Sequence, residues 1–115
     1  MDSILTSIKK SLGIYEEDTS FDTDIMMHIN TVFMGLRQMG IGPSTGFAID
    51  SAYYTWDEFL SDNVLLEGVK TYIALKVRLI FDPPASSAVI EAMNRTISEL
   101  EWRLNVQADY PKSFE

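Results

Sequence analysis

Val69-Lys70-Thr71-Tyr72-Ile73-Ala74-Leu75-Lys76-Val77-Arg78-Leu79-Ile80-Phe81-Asp82-Pro83-Pro84 is the stretch that decides the fold. At about 100° per residue it reads as a helix with a broad apolar face. With the preceding turn, Leu65, Leu66, Val69, Tyr72, Ile73, Val77, Leu79 and Ile80 fall on that face. Asp82-Pro83-Pro84 ends it, because the residue before a proline disfavours helical backbone and proline has no amide donor. Lys76 falls near the middle of the apolar face. An unpaired buried cation is costly. Either its ammonium reaches out to water, or the face meets a partner that carries a carboxylate.

The same helical grammar extends in both directions. Ile4, Leu5, Ile8 and Leu12 share one face of a short first helix, with Gly13 placed to stop it. The acidic link Tyr15-Glu16-Glu17-Asp18-Thr19-Ser20 leads into a second helix over about Phe21–Met39, stopped by Gly40. Its stripe is Phe21, Ile25, Ile29, Val32, Leu36 and Met39. The run Gly40–Gly46 is too rich in Gly and Pro for regular structure. Phe47-Ala48-Ile49 and Ala52-Tyr53-Tyr54 flank Asp50-Ser51 and are candidates for a small β-hairpin near residues 47–54. Thr55-Trp56-Asp57-Glu58 reads as a capping box that opens a short helix. The long helix then runs from about Asn63 to Phe81. Ser86 or Ser87 caps a last helix to about Val106, with the stripe Val89, Ile90, Met93, Ile97, Leu100 and Leu104. The pattern predicts an all-α bundle of four to five helices in one domain over 1–107, with residues 108–115 as a loose tail.

Composition narrows the function. The 115 residues form one domain's worth of chain, 46% of it hydrophobic, enough for a modest core. No cysteine is present, which removes disulfides, thiolate metal sites and cysteine nucleophiles. No signal peptide is readable, and Lys70, Lys76 and Arg78 interrupt the most apolar run, so no membrane partner is expected. The net charge is −8, and the excess is concentrated in residues 1–62, where ten carboxylates face three basic residues. Such a chain repels phosphate backbones, so tight nucleic-acid binding is not expected.

Chemistry-bearing constellations are absent from the pattern. The only histidine, His28, lies at the edge of the second helix's stripe with Asp24 one turn earlier, and no nucleophile or oxyanion site accompanies it. Glu16, Glu17, Asp18, Asp22 and Asp24 lack the glycine and ligand spacing of a calcium loop. Gly40, Gly42 and Gly46 follow a helix and lack the Lys-Ser/Thr ending of a phosphate loop. The expectation is a protein that is not an enzyme and carries no cofactor or metal.

The sharper signal is apolar surface in the wrong place. Trp102 projects opposite the last helix's stripe, and Met27 and Met34 point away from the second helix's, with Met26 and Phe33 widening that patch. Tyr53, Tyr54 and Trp56 form an aromatic group beside the glycine-rich loop, fit either for the core or for partner docking. Tryptophan is enriched at interface hot spots. Either partners cover these groups, or the hairpin or tail folds back over them. The candidate interface residues are Met27, Met34, Tyr53, Tyr54, Trp56, Lys76, Arg78 and Trp102, and Tyr110 and Phe114 are candidate docking residues of the tail.

These stretches resemble a family, the small head–tail connector (adaptor, or head-completion) proteins of tailed bacteriophages and prophages. The resemblance covers most of the chain. It is carried by Ile8-Lys9-Lys10-Ser11-Leu12-Gly13-Ile14, Ser20-Phe21-Asp22, Gly40-Ile41-Gly42, Val69–Ile73 through Phe81–Pro84, and Glu99-Leu100-Glu101-Trp102-Arg103-Leu104. It implies a mostly helical subunit of a ring beneath the portal protein, commonly of about twelve copies related by a closed rotation. Such a ring extends the DNA channel, docks stopper or tail-completion proteins, and carries no catalytic residues or cofactor. The implied location is the head–tail junction of the virion, after assembly in the bacterial host cytoplasm. DNA then passes an acidic lumen without being gripped, and Lys76 and Arg78 are candidates for ion pairs across subunits. The alternative from the residues alone is a small acidic helical regulator that binds another protein, as a DNA mimic would.

Overall fold

A computed structural model describes residues 3–109 of the chain. Five helices follow one another: α1 (Ile4–Ser11), α2 (Asp22–Gln38), α3 (Trp56–Phe59), α4 (Asn63–Phe81) and α5 (Ser87–Asp109). The long helix α4 has the limits its sequence predicts. Asp62 Oδ1 accepts from the amides of Val64 and Leu65, both at 3.1 Å, and so caps its start. Asp82 ends it ahead of the prolines.

Helices α1, α2 and α5 all pack on α4. The body measures 46 × 35 × 20 Å. Its thinnest dimension is that of two helix layers, since one helix with its side chains is about 10–12 Å across. The core is the inner stripes of α1, α2 and α4: Ile4, Ile8, Ile25, Ile29, Leu36, Val69, Ile73 and Val77 are fully buried. Each such side chain contributes about 1.5–3 kcal/mol by leaving water. Among the described side chains of α5, Ile97 and Leu104 are buried, with Leu100 packed against the core edge.

Residues 47–54 contain no hairpin. The backbone of Ile49 and the carbonyl of Tyr54 are engaged elsewhere. Asn30 of α2 donates to the Ile49 carbonyl at 2.9 Å and accepts from the Ile49 amide at 2.8 Å. The Tyr54 carbonyl accepts from the Ile4 amide, beside an isolated bridge between Ser3 and Thr55. A side-chain amide thus replaces the strand partner, and the loop is held against α2 and α1. Phe47, Phe59 and Phe33 pack ring to ring beneath it at 4.6–5.3 Å.

The loop begins where Gly40 turns the chain out of α2. Gly40 has φ +85°, and the amides of Gly40 and Ile41 return to the carbonyls of Arg37 and Leu36, both at 2.9 Å. Gly42 has a second reason to lack a side chain: a Cβ there would lie 2.5 Å from the Phe59 ring. At the other end α5 continues to Asp109, three residues past the expected stop near Val106. The rest of the expected tail, with Tyr110 and Phe114, lies outside the described residues.

Two substitutions test this account of the loop. Asn30→Ala leaves both polar groups of buried Ile49 without partners and is expected to destabilise the fold by about 2–3 kcal/mol in chemical denaturation. Gly42→Ala is expected to cost about 1–3 kcal/mol through the Phe59 clash and the positive φ.

Candidate functional site

The lysine on the apolar face of α4 finds its carboxylate within the chain. Lys76 Nζ lies 3.6 Å from Glu101 Oε2 of α5, and the same oxygen accepts a 2.8 Å hydrogen bond from the Tyr72 hydroxyl. The ammonium also sits 5.4 Å from the centre of the Tyr72 ring. Tyr72 and Lys76 are one turn apart on α4, and Glu101 lies between Ile97 and Leu104 on the packed face of α5. The three side chains therefore fix the register of the two helices. The ammonium is partly exposed, as the first option read from the sequence has it, and the carboxylate it faces belongs to its own chain. Burial, then the hydrogen bond to Glu101 and its negative charge, push the Tyr72 phenol well above its ordinary value. Glu101 was legible in principle. It stands four residues after Ile97 and three before Leu104, so a lone acid on one stripe answers a lone base on the other.

The fully buried cation is a different residue. Lys9 of α1 is 3% exposed. Its Nζ donates to the Glu16 carbonyl at 3.0 Å and lies 2.9 Å from Asp22 Oδ1, an ion contact whose angle falls short of a hydrogen bond. This joins α1, the acidic link and the first turn of α2. The sequence offers little warning, because Lys9 sits only at the edge of the α1 stripe.

The candidate interface residues separate into three groups. Met27 and Met34 are 61% and 62% exposed on α2, Trp102 is 66% exposed on α5, and Tyr53 is 90% exposed at the loop tip. These form free apolar surface. Tyr54 is half-buried against Phe47, ring centroids 5.9 Å apart. Trp56 is core: it is 3% exposed, its indole Nε1 donates to Ser7 Oγ at 3.1 Å, and Lys70 lies over its ring. Phe33 is likewise buried, so it does not widen the methionine patch. Of the two basic candidates, Lys76 is paired with Glu101. Arg78 is half-buried, with no ion pair among the described residues and an Nε that has no hydrogen-bond partner.

A groove of about 270 Å³ runs between the start of α4 and the end of α5, lined by Asp62, Val64, Leu65, Gly68, Leu100, Arg103, Leu104 and Gln107. The sequence gives no sign of it, since its walls come from two helices. Among the described residues no cluster of histidine and acidic side chains has the arrangement of a metal site. No helix among them is long and apolar enough to cross a membrane. His28 is half-buried, 6.4 Å from the centre of the Phe81 ring.

An all-helical body with large apolar side chains left in water has the character of an assembly part. The sequence profile of a family described as phage connector protein matches residues 4–111. The chain belongs to the phage connector family. Comparison with curated proteins and with solved structures gives no match. Two of the stretches that carry the resemblance, Val69–Ile73 through Phe81–Pro84 and Glu99–Leu104, meet in the connector at the Tyr72–Glu101 hydrogen bond. As a phage connector the chain is a virion component that works through contacts with other head and tail proteins.

Two charge clusters give measurable outcomes. Tyr72 holds its proton more tightly in the folded connector than in the unfolded chain. The stability this contributes is complete below the unfolded value of about 10 and is lost as pH rises above it. Denaturation series between pH 8 and 11 are expected to show this decline, and Tyr72→Phe to flatten it. For Lys9, substitution by Met strands Asp22 and is expected to destabilise by about 2 kcal/mol, less than a fully buried pair because Asp22 can rehydrate. The double variant Lys9→Met/Asp22→Leu is expected to regain most of that loss.

Proposed function

We propose that this connector is a non-catalytic structural subunit of a head-to-tail ring, of about twelve copies by closed rotational symmetry, set beneath the portal protein at the head–tail junction. In this role the ring extends the DNA channel and presents a docking surface to stopper or tail-completion proteins. The observation that carries the reading is the placement of exposed apolar side chains. Trp102 stands on α5 and Met27 and Met34 stand on α2, while both helices pack on α4. A head-to-tail ring requires two different complementary patches on each subunit. The tryptophan and the methionine pair supply two such patches without disturbing the core. Half-buried Arg78, unpaired among the described residues, is the candidate for a carboxylate from a neighbouring subunit. The net charge of −8 favours a lumen that DNA slides past without adhering.

Native mass spectrometry and negative-stain imaging of the connector, alone and mixed with portal protein, test the reading. Closed rings are expected in at least the mixture. Trp102→Ala and Met27→Ala/Met34→Ala are each expected to weaken assembly at least tenfold while leaving the helical circular dichroism unchanged. Assembly by these variants at the wild-type concentration would sink the assignment of those patches. A chain that remains monomeric or dimeric in both conditions, yet binds some other protein through its acidic residues, would favour the regulator.

A further inference from the structure

The outer faces of α2 and α5 are both open. Asp24, Met27, Thr31 and Met34 share the outer side of α2, and Arg95, Trp102 and Val106 share that of α5; all are exposed. Both helices pack on α4 and not appreciably on one another, so these faces do not cover each other within one molecule. Resting on the ring assignment, we propose that the two faces are each other's partners. In that contact α5 of one subunit lies parallel along α2 of the next copy, with Trp102 seated over Thr31 between Met27 and Met34.

Spacing, charge and shape favour a second copy as the occupant. Asp24 stands seven residues before Thr31, and Arg95 stands seven before Trp102, about 10.5 Å along each helix. Helices that cross at about 20° keep positions seven apart in step. Seating Trp102 over Thr31 therefore brings Arg95 to Asp24 and Val106 to Gly35. Asp24 and Arg95 have no ion pair among the described residues, and Glu91, one turn before Arg95, does not bind it. The reversed direction brings Arg95 to Gln38, which carries no charge, so the charges select the parallel arrangement. Gly35 supplies the shape. A glycine inside a helix costs about 1 kcal/mol relative to alanine. A Cβ at Gly35 would meet no other part of the chain within 4 Å, so its own fold does not require the notch, whereas Val106 of a neighbour fills it. The Thr31 hydroxyl already donates to the Met27 carbonyl at 3.0 Å, and methionine sulfurs make favourable contacts with an aromatic ring. Each subunit carries one face of each kind, so the contact is head-to-tail and repeats from copy to copy.

Charge reversal and cross-linking of the full-length protein, alone and with portal protein, provide the test. Asp24→Arg and Arg95→Asp are each expected to raise the concentration needed for assembly about tenfold by setting like charges opposite, and the double reversal to return it to within about twofold of wild type. The chain has no cysteine, so engineered thiols report the contact directly. Ser98 stands one turn before Trp102, as Met27 does before Thr31. A mixture of Met27→Cys and Ser98→Cys proteins is expected to form a disulfide between the two variants in air with a copper catalyst, and neither variant alone to do so. All four positions are exposed, and unchanged helical circular dichroism excludes loss of folding as the cause. Rings of the wild type without rescue by the double reversal and without the mixed disulfide would overturn this contact and leave the ring assignment standing. Cross-linking of Met27→Cys to itself would overturn it too, because α2 would then pair with α2. The mixed disulfide in open chains, with no closed ring even beside portal protein, would uphold the contact and sink the ring.

Discussion

The girth of the apolar surface on α4 is the constraint on which the rest of the connector depends. A helix with Leu66, Val69, Tyr72, Ile73 and Val77 all buried cannot be satisfied by one neighbour. Three elements are needed, and α1, α2 and α5 are those three. The apolar stripes of α1 and α2 are completed by α4 and by each other, which leaves α5 to cover the remaining side by itself. With contacts on one face only, α5 presents most of its circumference to water. The exposed Trp102 follows from that arrangement, and so does the long edge along which the groove forms.

Polar groups then fix what apolar burial leaves free. Two stripes of leucine and isoleucine slide past one another at little cost, but Glu101 can meet Tyr72 and Lys76 in only one register of α5 on α4. Lys9 does the same for the join between α1 and α2, and Asn30 for the loop over residues 40–54. Each of these contacts restricts alternatives as much as it lowers energy. A buried ion pair contributes little net stability, while breaking one leaves a stranded charge. The connector therefore reads as a small body with a few polar locks, carrying exposed apolar groups outside the locked region.

Where the sequence was legible, a strong local rule applied. The limits of α4 follow from Asp62 as a cap and Asp82-Pro83-Pro84 as a stop, and Gly40 ends α2 as a glycine after a helical run should. Met27, Met34 and Trp102 were readable as off-face residues because helical periodicity alone sets the face, and all three are exposed. Trp56 was left open between core and docking because it opens a single-turn helix, too short for periodicity to define a buried side. Its burial depends on Ser7, nearly fifty residues earlier in the chain. The hairpin failed for a related reason: alternating apolar residues signal extended chain, but the partner of that chain was the side chain of Asn30 and not a second strand.

The amino-acid sequence by itself determined the helices, their order, their apolar stripes and the surplus apolar groups that lie off those stripes. These properties depend on residues within a few turns of one another, where spacing and capping chemistry are sufficient. Only the tertiary structure decided which charges meet. It paired Lys76 with Glu101 and enclosed Lys9 with Asp22, because each contact spans two elements whose relative placement is set by core packing. It also separated core aromatics from free ones and opened the groove between α4 and α5, features that exist only once two helices lie side by side.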